Sequence, residues 1–146
     1  KMNISESGLD FIIAHEGLRL SAYPDPATGG APWTIGVGRA HGVSEGDTCT
    51  EDEARERLRQ DAQVAVRCIN NSVRGQLTQN QFDALVSLVF NIGCGNFGKS
   101  TLLRRLNEGD DDAASQQFMV WNRANNREMA GLTSRRGDEM ELFLTA

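Results

Sequence analysis

The placement of glycine and proline limits the fold of this chain more than any other sequence feature. Residues 18–48 hold six of the fifteen Gly and all three Pro. Two short alternating apolar runs, at 18–22 and 33–37, lie within this stretch and are typical of paired β-strands. Beyond about residue 50, the apolar residues follow helical spacing. The sequence therefore predicts an α+β fold that is mostly α, with a small antiparallel sheet near its N-terminus.

Capping signals place the first two helices. Ser5 can cap a helix over about residues 5–16. Thr50 and Glu53 have the spacing of a capping box, and helical periodicity follows them. We expect one long helix over about residues 51–71, which would connect the sheet region to the rest of the chain.

A second capping box begins the most apolar segment of the chain. Thr78 and Gln81 have the required spacing, and the run after them is apolar on nearly every side. This run is expected to form the central buried helix and to end at Gly93. Three further helices are expected: residues 101–106 capped by Ser100, a helix from Asp111 or Asp112 to Trp121, and residues 133–144.

A length of 146 residues indicates a single domain. Within it we expect a sheet-containing lobe over about 17–50 and a helical lobe made of about 1–16 and 70–146, joined by the 51–71 helix. A cleft between two such lobes is a common place for a ligand site. No apolar run approaches the ~20 residues of a membrane span, so no membrane span is expected.

The charge of the chain argues against nucleic acid as a partner. The net charge is −5, and neither half of the sequence is strongly basic. Thirteen of the fifteen cationic residues are Arg, which favours fixed ion pairs with carboxylates. Several arginines are therefore expected to be structural.

The three cysteines, Cys49, Cys68 and Cys94, fit no zinc or redox motif. The favoured interpretation is three free thiols in a protein made in a reducing cytoplasm. One disulfide with one remaining thiol is the alternative.

Glu16 and Asp25 are the candidate catalytic residues. Glu16 ends a helical run, and Asp25 lies nine residues later in a turn. Taken singly, a Glu at a helix end is usually solvated and an Asp beside proline usually forms a turn. Together, two carboxylates in different surroundings allow one acid to stay protonated and the other ionised. This pairing suggests cleavage of a glycosidic bond.

The sequence around these carboxylates resembles that of phage-type lysozymes of glycoside hydrolase family 24. The motif comprises residues 15–25 and the Trp-Thr-Ile-Gly-Val-Gly run at 33–38. The resemblance extends over nearly the whole chain through short, individually weak segments: Phe90–Gly93, Phe97–Leu102, Trp121–Asn122, Gly131–Leu132, Arg135, Arg136 and Glu139.

The resemblance implies hydrolysis of the β-1,4 bond between N-acetylmuramic acid and N-acetylglucosamine in peptidoglycan. Glu16 would be the general acid, and Asp25 with the Thr34 hydroxyl would hold the attacking water. That is an inverting arrangement, with carboxylates roughly 6.5–9.5 Å apart. Phe97 and Arg39 would contact the substrate, and no metal or organic cofactor would be needed. An arginine among Arg123, Arg127, Arg135 and Arg136 is expected to pair with Glu16.

Two departures from the family pattern concern the candidate site. Eight residues separate Asp25 from Thr34, where five are common in the family, which makes Thr28 a competitor for holding water. Arg39 stands where many members have His, and His41 follows two residues later. Both departures are interpreted as structural.

Two alternatives to a hydrolase remain: a lytic transglycosylase, and an inactive sugar-binding protein with the same fold. The resemblance also implies a phage endolysin that works as a monomer. Since no export signal is recognised, it would stay in the host cytoplasm until a holin releases it, and then act on the cell wall in the periplasm.

Overall fold

A computed structural model describes all residues, Lys1–Ala146. The fold is α+β and mostly α, as predicted. The helices are α1 (Glu6–Glu16), α2 (Glu51–Asp61), α3 (Gln63–Ser72), α4 (Gln79–Ile92), α5 (Cys94–Gly98), α6 (Thr101–Asn107), α7 (Asp111–Gln116), a 3₁₀ helix (Gln117–Trp121) and α8 (Ala130–Leu144). The strands are β1 (Arg19–Tyr23), β2 (Thr34–Gly36), β3 (Arg123–Ala124) and β4 (Arg127–Glu128). No helix combines the length and the apolar composition needed to cross a membrane.

The chain divides into two compact units. Leu9–Ala62 forms one, here called the sheet unit, and Lys1–Gly8 with Gln63–Ala146 forms the other, the helical unit. These limits differ from the predicted ones, because most of α1 and all of α2 group with the sheet. Ala54 of α2 packs with buried Ile35 and Cys49, which ties the helix to the sheet.

The sheet unit is built on an antiparallel β1–β2 pair. Tyr23 lies opposite Thr34 and Arg19 lies opposite Gly36, with an irregularity between them. A third segment, residues 47–49, extends the pairing: the Cys49 N–H donates to the Leu20 carbonyl at 2.9 Å. This third segment was not predicted from the sequence.

The helical unit has α4 at its centre, as predicted. Residues 82–89 of α4 are all buried, and the helix packs against α3 and α8. The rings of Phe118 and Phe143 meet at a centroid distance of 5.5 Å in the same core. Burying this apolar surface is the main stabilising contribution of the unit.

Helix starts agree closely with the predicted caps. Both capping boxes form, at Thr50 with Glu53 and at Thr78 with Gln81. The Ser5 hydroxyl accepts a hydrogen bond from the Gly8 N–H at 3.0 Å, and Ser100 caps α6. The predicted ends of α4 and α8 are also confirmed, but α8 begins at Ala130, three residues before its predicted start.

Several predictions about secondary structure were wrong or incomplete. The long helix over 51–71 is two helices, because the chain breaks at Ala62, where neither Gly nor Pro marks a boundary. Asp110, one residue earlier than expected, caps α7 by accepting from the Ala113 N–H. The helix predicted to reach Trp121 is α-helical only to Gln116 and continues as the 3₁₀ helix. The short helix α5 and the β3–β4 pair were not predicted.

The favoured interpretation of the cysteines was also wrong. Cys68 of α3 and Cys94 of α5 form a disulfide, and Cys49 is a free, buried thiol. The packing of α3 against α5 brings together two residues that are 26 positions apart in sequence. The alternative, one disulfide with one remaining thiol, is the arrangement observed.

A buried polar cluster joins α8 to α4. Glu139 is fully buried and accepts from Arg135 Nε at 3.2 Å, Arg136 Nη2 at 3.0 Å and the Ser87 hydroxyl at 2.5 Å. Arg136 also donates to the Asn91 side chain at 2.9 Å. Burial raises the pKa of Glu139, and the charges of Arg136 and Arg135 oppose that shift. Several of the arginines are structural, as the sequence suggested.

Candidate active site

Glu16 is the last residue of α1, and its side chain is exposed. Gly17 follows with a φ of 86°, a left-handed conformation that glycine adopts without strain. Its N–H donates to the Ile13 carbonyl at 2.8 Å, which ends the helix. The backbone therefore holds Glu16 at a fixed helix end. The arginine expected to pair with Glu16 stays a prediction.

Asp25 is positioned by the β1–β2 pair and by its own loop. It lies two residues beyond Tyr23, whose partner across the sheet is Thr34. Its N–H donates to the Gly30 carbonyl at 2.9 Å. Its Oδ1 accepts from the Ala27 N–H at 2.7 Å, a turn typical of Asp. The second carboxylate oxygen, Oδ2, accepts no hydrogen bond from the protein and is open to a ligand.

Thr34 and Thr28 differ in how their hydroxyls are used. Thr28 donates to the Ala31 carbonyl at 2.7 Å and accepts from the Gly30 N–H at 3.2 Å, so its proton is used within the loop. Thr34 is half-buried, and its hydroxyl makes no hydrogen bond to the protein. Of the two, Thr34 has the hydroxyl available to orient water.

The two residues expected to bind substrate are less well placed. Phe97 is fully buried, so its ring has no surface with which to contact a glycan. Arg39 lines a cavity of about 780 Å³ together with Ile35, His41 and Arg57. Neighbouring side chains of a strand point to opposite faces, so this cavity is on the side of β2 away from Thr34. Burial excludes Phe97 as a substrate contact, whereas a contact between Arg39 and the substrate stays a prediction.

The sheet unit therefore carries all three candidate catalytic residues. One carboxylate lies at a helix end, and the other lies in a turn with one free oxygen. A free hydroxyl lies on β2, opposite the last residue of the strand that leads into that turn. These groups can supply a proton and can hold a water molecule, the two tasks of hydrolysing a glycosidic bond without a covalent intermediate.

The hydrogen bonds that hold the long turn between Asp25 and Thr34 were not predicted from the sequence. The Gly29 N–H donates to the Asp25 carbonyl at 2.8 Å, so the residues that lengthen this turn are hydrogen-bonded to the backbone of Asp25. The Gly-Gly pair at 29–30 and the nearby Thr28 were the available signal, since both are typical of tight turns.

Comparisons with known proteins give a consistent result. A family model described as phage lysozyme matches residues 13–139. An endolysin of Acyrthosiphon pisum secondary endosymbiont phage 1 is 44% identical, over 99% of this chain and 100% of that protein. The muramidase domain of SpmX from Asticaccaulis excentricus has a TM-score of 0.89 and 41% identity, over 100% of both chains. A crystal structure of a P22 lysozyme mutant has a TM-score of 0.89 and 39% identity, over 99% of this chain and 100% of that one.

Proposed function

Since this chain belongs to the phage lysozyme family, we propose that Glu16, Asp25 and Thr34 are the residues with which it cuts its substrate. The chain is a muramidase, a glycoside hydrolase of the endolysin kind that lyses the bacterial cell wall. In the proposed mechanism Glu16 supplies a proton, and Asp25 with Thr34 holds the water.

Glu16 acts as the general acid. Its carboxyl proton passes to the glycosidic oxygen while the bond from that oxygen to the anomeric carbon breaks. Positive charge then develops on the sugar ring. Proton transfer from a positioned side chain contributes about 10²–10⁴-fold to the rate. The fixed end of α1 supplies the positioning, because Gly17 stops the helix directly after this residue.

Asp25 and Thr34 hold the attacking water on the opposite face of the ring. Asp25 Oδ2 accepts one proton of the water, and the Thr34 hydroxyl orients its oxygen. The water forms the new bond to the anomeric carbon, and its proton passes to Asp25. Asp25 then releases this proton to solvent, and Glu16, now a carboxylate, is reprotonated from solvent. The product has the inverted configuration, as expected when the two carboxylates act from opposite faces.

One observation carries this proposal more than any other. Asp25 has one oxygen fixed by its own turn and one oxygen open. Thr34, whose hydroxyl is unused, pairs across the sheet with Tyr23, two residues before Asp25. A lytic transglycosylase closes an internal sugar ring and needs no held water. The arrangement therefore favours hydrolysis over that alternative.

The first experiment tests Glu16. Glu16→Gln should lower wall lysis by at least ~10²-fold without a change in melting temperature, because an amide cannot donate an acidic proton. Glu45→Gln is the matched control, since Glu45 is an exposed carboxylate of the same unit. Turbidity loss of purified wall measures both. Lysis by folded Glu16→Gln within tenfold of the parent protein would remove Glu16 from the mechanism.

A second experiment tests inversion. NMR of a short glycan digest should show the α-anomer first, and mass analysis should find reducing ends without a 1,6-anhydro sugar. An initial β-anomer would indicate retention, and an anhydro end would indicate a transglycosylase.

We further propose that the protein is a monomer that a holin releases from the host cytoplasm to the periplasm. The resemblance to endolysins supports this route. The Cys68–Cys94 bond supports a working place outside the reducing cytoplasm. Thiol trapping before and after release should find reduced, then oxidised, cysteines, and sedimentation should give a mass of 16.0 kDa. Lysis at the same time with and without a co-expressed holin would contradict this proposal.

A further inference from the structure

A cationic pocket lies in the helical unit, outside the candidate active site. It has a volume of about 380 Å³ and lies where the chain leaves α3, where α5 meets α6 and where α6 ends. Arg74, Lys99 and Arg104 line it, and Glu108 is the one carboxylate among its lining residues. We call it the Arg74–Lys99–Arg104 pocket.

The positive charge of this pocket is not neutralised by the protein. Glu108 pairs with Arg105 at 3.0 Å, so its charge is already balanced. Arg74, Lys99 and Arg104 are exposed and have no carboxylate oxygen within 4.0 Å. Several other arginines do have ion pairs. Three like charges around one depression repel one another, and an anionic ligand would relieve that repulsion.

The backbone under these three residues is held firmly. The Asn107 side chain accepts from the Arg74 N–H at 2.9 Å and donates to the Ser72 carbonyl at 3.0 Å, which fixes the chain after α3 to the end of α6. The disulfide joins α3 to α5, and Ser100 caps α6 through the Leu103 N–H at 3.1 Å. A rigid frame with unpaired cationic side chains lowers the entropy that a bound ligand has to overcome.

The two units differ in charge. The sheet unit has five basic and ten acidic residues, whereas the helical unit has ten of each. The whole net charge of −5 is therefore on the unit that carries Glu16 and Asp25. The peptide stems of peptidoglycan carry carboxylates, which that unit repels. A cationic site on the neutral helical unit can supply an attraction that the acidic unit lacks.

We propose that the Arg74–Lys99–Arg104 pocket binds carboxylate groups of peptidoglycan peptide stems and anchors the enzyme on the wall. This inference rests on the proposed function, cleavage of peptidoglycan. The pocket takes part in no step of the cleavage. It raises the affinity for the intact wall, where stems are dense, and has no effect on a glycan without peptides.

The test compares two variants with equal charge change. Lys99→Gln/Arg104→Gln removes two charges of the pocket, and Lys1→Gln/Arg67→Gln removes two charges of the same unit outside its lining. At low salt, the pocket variant should raise KM for wall lysis about tenfold, roughly threefold per exposed charge contact, with kcat unchanged. The control should change KM less than about twofold. The difference should shrink as salt shortens the screening length to about 8 Å.

Further arms identify the ligand. Amidating the stem carboxylates with a carbodiimide should raise the KM of the parent protein to that of the pocket variant. Removing wall phosphate with hydrofluoric acid should leave the KM of the parent protein unchanged. The proposal is wrong if removing wall phosphate lowers the affinity of the parent protein for the wall. It is equally wrong if the pocket variant and the control variant lose the same affinity. It is also wrong if the pocket variant slows cleavage of peptide-free glycan. If the parent protein binds wall through this pocket but cuts no glycan, the proposed hydrolase function is wrong, whereas the proposal that the pocket binds the wall is supported.

Discussion

Opening the Cys68–Cys94 disulfide should lower the melting temperature by about 11 °C. The bond closes a loop across 26 positions. The chain-entropy relation for a loop of that length gives a stabilisation of about 3.5 kcal/mol at 25 °C. An unfolding entropy of about 2.1 cal/mol/K per residue gives about 0.31 kcal/mol/K for 146 residues. Dividing the first value by the second gives the expected shift.

Thermal unfolding followed by circular dichroism, with and without a thiol reductant, measures this shift. Cys94→Ser removes the bond at an exposed position, and its melting temperature should be low and insensitive to reductant. Cys49→Ala is the control, because it removes the free thiol and keeps the bond. It should respond to reductant as the parent protein does. A shift below about 3 °C after complete reduction would refute the loop-closure reasoning.

Three further predictions concern single side chains. Thr34→Ala should lower kcat with little change in KM, whereas Thr28→Ala should not; equal kcat losses in wall lysis would contradict the assignment of the water site. Glu139→Ala should lower the free energy of unfolding by about 3–5 kcal/mol, measured by chemical denaturation, because it leaves buried arginines without a counter-charge. A loss below about 1 kcal/mol would contradict this prediction. Hydrogen bonds from the Thr50 backbone and side chain lower the pKa of Glu53. Its contribution to stability is therefore present above its unfolded pKa and lost as pH falls through its folded pKa; melting curves of Glu53→Gln should lack this part of the acid dependence.

Local rules predicted the helix starts because the atoms involved are neighbours in sequence. A capping box needs only a hydroxyl at the cap and a Glu or Gln three residues later, and both predicted boxes form. The β1–β2 pair was readable for a similar reason, since alternation and turn residues lie within one short stretch. The break at Ala62 could not be predicted from the sequence. Ala62 keeps right-handed helical angles, and the helical spacing of buried residues continues through it.

Properties that depend on tertiary packing could not be predicted from the sequence. Which cysteines pair is decided by the approach of α3 to α5, and the spacing of Cys68 and Cys94 carries no sign of it. The burial of Phe97 is similar: the motif containing it resembles a family landmark, yet the ring belongs to the core of the helical unit. A motif can indicate that a residue is important without indicating whether its role is in the core or at the ligand.

Of the sequence properties considered, net charge was the least reliable guide to how the enzyme binds its substrate. A value of −5 suggests repulsion from an anionic wall, but it is a total over two units that differ in charge. The three cations of the pocket come from the end of α3, the α5–α6 junction and α6, so no basic run appears in the sequence. Repulsion acts where the acidic residues are, and screening confines it to about 8 Å at physiological salt. A cationic pocket on the neutral unit can therefore attract carboxylates to a protein that is acidic as a whole.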